Sequence, residues 1–128
     1  AEALPFSDGE FDFVLMVTVI CFLDDVELAL REAHRVLRPE GALVIGFIDR
    51  ESALGRQYRL KKDRSLFYRD AAFYSVQDVE SMLSRAGFSD FEYRQTLFRD
   101  SSSGLSVEEG HGRGSFVVVR GSKHLGAP

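Results

Sequence analysis

The chain has little of what usually marks a secreted, membrane-bound or metal-dependent protein. Its 128 residues hold one cysteine, three histidines and three prolines. The single thiol, Cys21, sits inside an apolar run, which excludes an internal disulfide and fits a reducing compartment. His34, His111 and His124 share no ligand spacing with one another or with Cys21, so no metal site is expected. No nucleophile elbow or catalytic-triad pattern occurs. The longest apolar stretch, Phe13 to Leu23, falls well short of the ~20 residues needed to span a bilayer. Ala1-Glu2-Ala3-Leu4-Pro5 has neither the basic region nor the apolar core of a signal peptide. Excess positive charge is lacking too: the net charge of -4 gives no global case for nucleic acid. These absences together predict a cytoplasmic protein with neither a membrane nor a nucleic acid as partner. No internal repeat and no linker divides the chain.

What is present reads as α/β. The hydrophobic content of 45% is ordinary for a globular domain and argues against disorder. Residues 12–20 are near-continuously apolar and rich in β-branched side chains, which predicts a strand buried on both faces. Asp24 is the expected cap of a following helix, with Glu27 as its reciprocal partner. Val26, Ala29, Leu30, Ala33, Val36 and Leu37 form that helix's apolar stripe. Pro39 and Gly41 stop it, and residues 42–48 read as a second buried strand. Residues 50–74 look irregular or weakly helical. Ser75 and Asp78 form a capping box for a further helix that ends at Gly87. Residues 91–98 and 115–120 read as strands, joined by a long polar connection over 99–113. Residues 123–128 read as a flexible tail.

The most specific stretch is residues 1–46, from Ala1-Glu2-Ala3-Leu4-Pro5-Phe6 through the turn Arg35-Val36-Leu37-Arg38-Pro39-Glu40-Gly41 into the second strand. It resembles the middle of a class I S-adenosylmethionine-dependent methyltransferase, of the group that includes the quinone-biosynthesis enzymes. Gly46 to Ser52 and Phe67 to Ser75 are also similar to a small prokaryotic subgroup of that family. The resemblance implies a partial Rossmann-like methyltransferase sheet with flanking helices. Residues 1–122 would supply strands four to seven of the order 3-2-1-4-5-7-6, only the last in sequence being antiparallel. In the family, a glycine-rich cofactor loop and an acidic ribose-binding residue precede this segment. Without them the chain is expected to be inactive alone, a truncated methyltransferase whose binding of S-adenosylmethionine is in doubt. The alternative is a non-catalytic dimeric interaction module descended from one.

The same resemblance implies cofactor contacts at Ala1 and Glu2, beside the adenine, and at Thr18, Val19 and Ile20, beside the methionine part. Thr18 and Val19 read equally as strand core. In open α/β sheets ligands gather outside the carboxyl ends of the parallel strands. Residues 18–24, 49–74 and 99–113 should therefore meet on one rim. Asp49 and Glu51 could orient an acceptor or take its proton, or Asp49 could simply cap the turn. Arg50, Tyr58, Tyr68 and Tyr74 are the candidate acceptor-binding side chains. Residues 56–69 carry six basic side chains against Asp63 alone, with aromatics interleaved. They read as a lid over an anionic or aromatic substrate, as a nucleic-acid patch, or as a solvated face. The first apolar strand lacks its expected neighbour, which leaves an open edge and predicts a homodimer through the sheet edge or face.

Overall fold

The computed structural model describes residues 2–61, 72–98 and 106–124. The elements run in the order β1 (Phe11–Val17), a short 3-10 turn (Ile20–Phe22), α1 (Val26–Val36), β2 (Leu37–Ile48), α2 (Ala53–Lys61), α3 (Val76–Arg85), β3 (Phe88–Phe98), β4 (Glu108–Glu109) and β5 (Gly114–Lys123). They build one five-stranded sheet, ordered β1-β2-β5-β3-β4. β1 and β2 are parallel, and β5 lies antiparallel between β2 and β3. β3 therefore runs in the same sense as β1 and β2, so the carboxyl ends of all three share a rim. The expected order of strands four, five, seven and six is present, with only the last long strand reversed. β4 extends the edge beyond β3, within a segment expected to be loop.

Helices α1 and α3 cover one face. Leu30, Ala33, Val79 and Leu83 from the helices meet Leu43, Ile45, Val117 and Val119 from the sheet in a single buried cluster. β1 departs from the expectation of burial on both faces. Met16 points into the core, while Phe13, Leu15 and Val17 on the other face are 65, 68 and 45% exposed. A side-chain period of two, with both sets apolar, is the pattern of a strand meant to be covered twice.

Three boundaries differ from the expected ones. The cap of α1 is Asp25, not Asp24: Asp25 Oδ1 accepts from Leu28 N at 3.0 Å. That places Leu28 at the third helical position, so Glu27 cannot close a capping box. β2 begins at Leu37, directly after the helix, and its pairing with β1 slips between Phe11 and Phe13. Glu40 takes a left-handed φ of 68° in that irregularity. Gly41 follows it because a Cβ there would lie 2.8 Å from Arg38 O and 2.9 Å from Asp12 O. Lys123, assigned to a tail by sequence, is the last residue of β5. Its Nζ donates to His34 O at 2.7 Å and Leu37 O at 2.8 Å, placing a cation on the carboxyl end of α1. The capping box of α3 is as expected, with reciprocal bonds of 3.1 and 3.0 Å between Ser75 and Asp78.

Candidate functional site

The carboxyl ends of β1 and β2 open onto a cavity of about 370 Å³. β1 ends in strain: Thr18, a β-branched residue, has a φ of 52° while its N–H still bonds Gly46 O at 2.7 Å. The chain then tightens into the 3-10 turn, where Phe22 N bonds Val19 O at 2.9 Å. Thr18, Ile20, Cys21 and Phe22 line one side of the cavity, Phe47 and Ile48 the floor at the end of β2, and Tyr58 comes from α2. Ala72, Phe73 and Tyr74 close it. Two backbone bonds fix that last segment: Ala72 N to Cys21 O at 2.8 Å, and Arg50 N to Tyr74 O at 3.0 Å. The Phe73 ring stacks on Tyr58, centroids 6.1 Å apart.

The cavity is apolar, and two of its lining groups are driven toward their neutral forms. Burial raises the pKa of the Cys21 thiol. Burial also raises that of the Tyr74 hydroxyl, with Cys21 and Asp78 adding to the effect. An open groove of about 430 Å³ shares Phe73 and Tyr74 with the cavity and is lined also by Arg50, Asp78, Ser81, Met82 and Arg85.

Of the residues singled out from sequence, Thr18, Ile20, Tyr58 and Tyr74 come together on the cavity wall, and Arg50 lies in the adjoining groove. Val19 is exposed at the rim, whereas Ile20 belongs chiefly to the core. Asp49 lies off the cavity wall. It is 6% exposed, its Oδ1 accepts from Glu51 N at 3.0 Å, and its backbone O accepts from Ser52 N and Ser52 Oγ. Gly55 follows because a Cβ there would lie 2.1 Å from Asp49 O. The turn-capping alternative thus describes Asp49's contacts. Glu51 is exposed and faces Arg50 at 3.8 Å. The Glu2 carboxylate accepts from Asp24 N and Asp25 N, each at 3.2 Å, at the start of α1. The α1 amide of Asp25 is the main cause that holds Glu2 below the usual carboxylate range. Ala1 and residues 62–69 of the basic stretch, Tyr68 among them, lie outside the described residues.

Cys21, Phe22, Phe47 and Phe73 were not singled out from sequence. Phe47 reads there as strand core, and Phe73 is brought in only by its long-range backbone neighbours. The third rim segment contributes no described lining residue. Its Gly110–Gly114 turn is held instead by Gln95, whose Oε1 accepts from Arg113 N and Gly114 N at 2.9 and 2.7 Å. Among the described residues no cluster of His, Cys, Asp or Glu could hold a metal ion, and no helix is long and apolar enough to cross a membrane.

Comparison with known proteins agrees with this fold. Residues 1–45 match the model of a methyltransferase domain. An S-adenosylmethionine-dependent methyltransferase of Thermotoga maritima, whose name offers histamine as a candidate acceptor, is 49% identical. It superposes with a TM-score of 0.91 over 95% of this chain and 60% of its own. An uncharacterized protein of Methanocaldococcus jannaschii is 44% identical over 95% of this chain and 60% of its length. A ubiquinone/menaquinone biosynthesis C-methyltransferase of Rickettsia prowazekii is 48% identical over 44 residues, 34% of this chain and 18% of its length. The chain thus spans about 60% of the length of the relatives it matches over most of its own. By sequence and by fold, it is similar to the S-adenosylmethionine-dependent methyltransferases.

Proposed function

We propose that the chain is the acceptor-side part of a methyltransferase domain that moves the sulfonium methyl of S-adenosylmethionine to a small-molecule acceptor. The observation that carries this reading is the strained Thr18 at the mouth of an apolar cavity on the carboxyl rim. A β-branched residue in the left-handed region costs about 1–3 kcal/mol and persists where the surroundings demand it, often at a binding site. Thr18, Val19 and the backbone of Glu2 suit the cofactor: a hydroxyl and an apolar side chain stand at the rim, while the Glu2 carboxylate is engaged at α1. When bound, the cofactor supplies an electrophilic methyl group. In transfer the acceptor's lone pair forms the new bond to carbon, the S–C bond breaks, and S-adenosylhomocysteine leaves. The chain's part is to align the acceptor and exclude water, since an in-line displacement depends mainly on positioning. Asp49, committed to its turn, and the exposed Glu51 are the weaker candidates for proton removal.

Cofactor affinity in this reading requires polypeptide of the kind that makes up the rest of the relatives' length. The exposed face of β1 supports it, because Phe13, Leu15 and Val17 are available to be covered. The same face favours one second reading, a non-catalytic dimer joined through β1. Calorimetry with S-adenosylhomocysteine separates the two. A polypeptide extended ahead of residue 1 should bind at micromolar concentration and the 128-residue chain far more weakly. An extended protein that gives no heat at millimolar ligand, beside a stable dimer of the shorter chain, would replace the enzyme by the module. A basic amine acceptor, of the kind named for the Thermotoga relative, would seek a carboxylate in the cavity wall, and the described lining residues supply none.

A further inference from the structure

Phe73 and Tyr74 line both the cavity and the adjoining groove, and the two spaces are unlike. The cavity is apolar: Phe22, Phe47, Ile48 and the stacked Tyr58–Phe73 pair surround it, and neither the Thr18 hydroxyl nor the Cys21 thiol carries charge. A charged centre placed there would lose hydration without a counter-charge. A flat, uncharged body fits instead, by offset or edge contact with the rings.

The adjoining groove holds two guanidinium groups and one carboxylate, and these are unequally committed. Asp78 accepts from Ser75 N in the capping box. Arg85 donates to Glu27 from Nε at 2.8 Å and also from its Nη2. Arg50 approaches Glu51 only at 3.8 Å, with both side chains about half exposed, a separation at which a surface pair holds its partners weakly. Its backbone N–H to Tyr74 O fixes where the side chain starts, directly beside Tyr74. A guanidinium so placed can take a carboxylate by two parallel N–H···O bonds.

We infer that the acceptor is an aryl acid, with its aromatic body in the cavity beside Phe73 and its anionic group on Arg50. This deepens the methyltransferase reading and rests on it for the word acceptor; the binding site itself can be tested without cofactor. The acid would orient the molecule along Phe73 and Tyr74, so that the same end always points toward Thr18.

Three probes with one body test it: 2-naphthoate, neutral 2-naphthamide and cationic 2-naphthylmethylamine, each titrated into the 128-residue chain and followed by amide chemical shifts. The naphthoate should bind about tenfold tighter than the other two, a difference of about 1.4 kcal/mol. Shifts should centre on Arg50, Phe73 and Tyr74. Arg50→Gln should abolish the preference while leaving naphthamide unchanged, and Phe73→Ala should weaken both. Equal binding of the three probes, a preference for the amine, a preference that survives Arg50→Gln, or shifts confined to Phe13, Leu15 and Val17 would each overturn the inference. Titration with S-adenosylhomocysteine reads the underlying function separately. Naphthoate selectivity in a protein whose extended form ignores the cofactor product would keep the acid site and remove the methyltransferase. Cofactor binding without that selectivity would remove the acid site alone.

Discussion

At Gly87 a single hydrogen decides whether α3 can turn into β3. Its φ is 103°, and a Cβ would lie 2.9 Å from His34 Nε2, whose ring packs edge-on against Phe88 at 5.1 Å. Gly87→Ala should therefore destabilise the chain by about 1–3 kcal/mol, combining left-handed strain with displacement of the imidazole; a urea midpoint equal to that of the parent would contradict it. Gln95 is the second such residue. Buried, it accepts two amides and donates to Glu109 O. Gln95→Leu should cost roughly 2–3 kcal/mol by leaving the Arg113 and Gly114 amides without their acceptor.

Histidine 124 gives the pH dependence a sign. Its ring bridges Asp90 and Glu40, both in left-handed conformations, and the hydrogen bond to Asp90 is the main cause that raises its pKa. A raised folded pKa means stability that is fully present below the unfolded value of about 6.5 and lost as pH rises through the higher folded value. His34 acts oppositely: burial, then Lys123, lowers its pKa, so its contribution falls away on acidification below about pH 6.5. His124→Gln should remove the alkaline loss and leave the acid one. Chemical denaturation from pH 5 to 8.5 distinguishes them, and an unchanged alkaline slope in the variant would refute the assignment.

Among elements, α1 offers the cleanest comparison, because the expected and the observed cap are adjacent. Asp25→Ala should cost about 1 kcal/mol and Asp24→Ala much less, since only the Asp25 carboxylate meets a helix amide. Thermal melts that reverse that ranking would restore the expected cap. The sequence misleads here because two aspartates in a row both precede the apolar stripe. Ser75 stands without such a rival, and its box was legible at once. The strands were legible in kind but not in extent: Leu37 joins β2 because the helix ends at Val36 and the chain is already extended before Pro39. Strand order came from the resemblance. The cavity was half legible. Thr18, Tyr58 and Tyr74 were marked by their place after strands or among aromatics. Phe73 was not, because its position depends on the bonds that its neighbours Ala72 and Tyr74 make with Cys21 and Arg50, which no local pattern encodes.

For the whole molecule, the consequential surface is the outer face of β1. An edge that no described strand pairs, beside three exposed apolar side chains, is a template for association. The 128-residue chain should scatter light as more than a monomer at micromolar concentration, and Leu15→Lys should return it to monomer with little change in melting temperature. A parent chain that is already monomeric would show that β1 tolerates exposure, and would remove the dimer reading.

The position of β5 also dictates when the sheet can form. It follows β3 in sequence yet sits between β2 and β3, which do not otherwise pair. On the ribosome, β1, α1 and β2 can assemble as they emerge, but β3 has only the two-residue β4 to pair with until residues 114–123 leave the exit tunnel. A nascent chain stalled before Gly114 would carry two open strand edges in place of one central strand, making the arrival of β5 the step that joins β2 to β3.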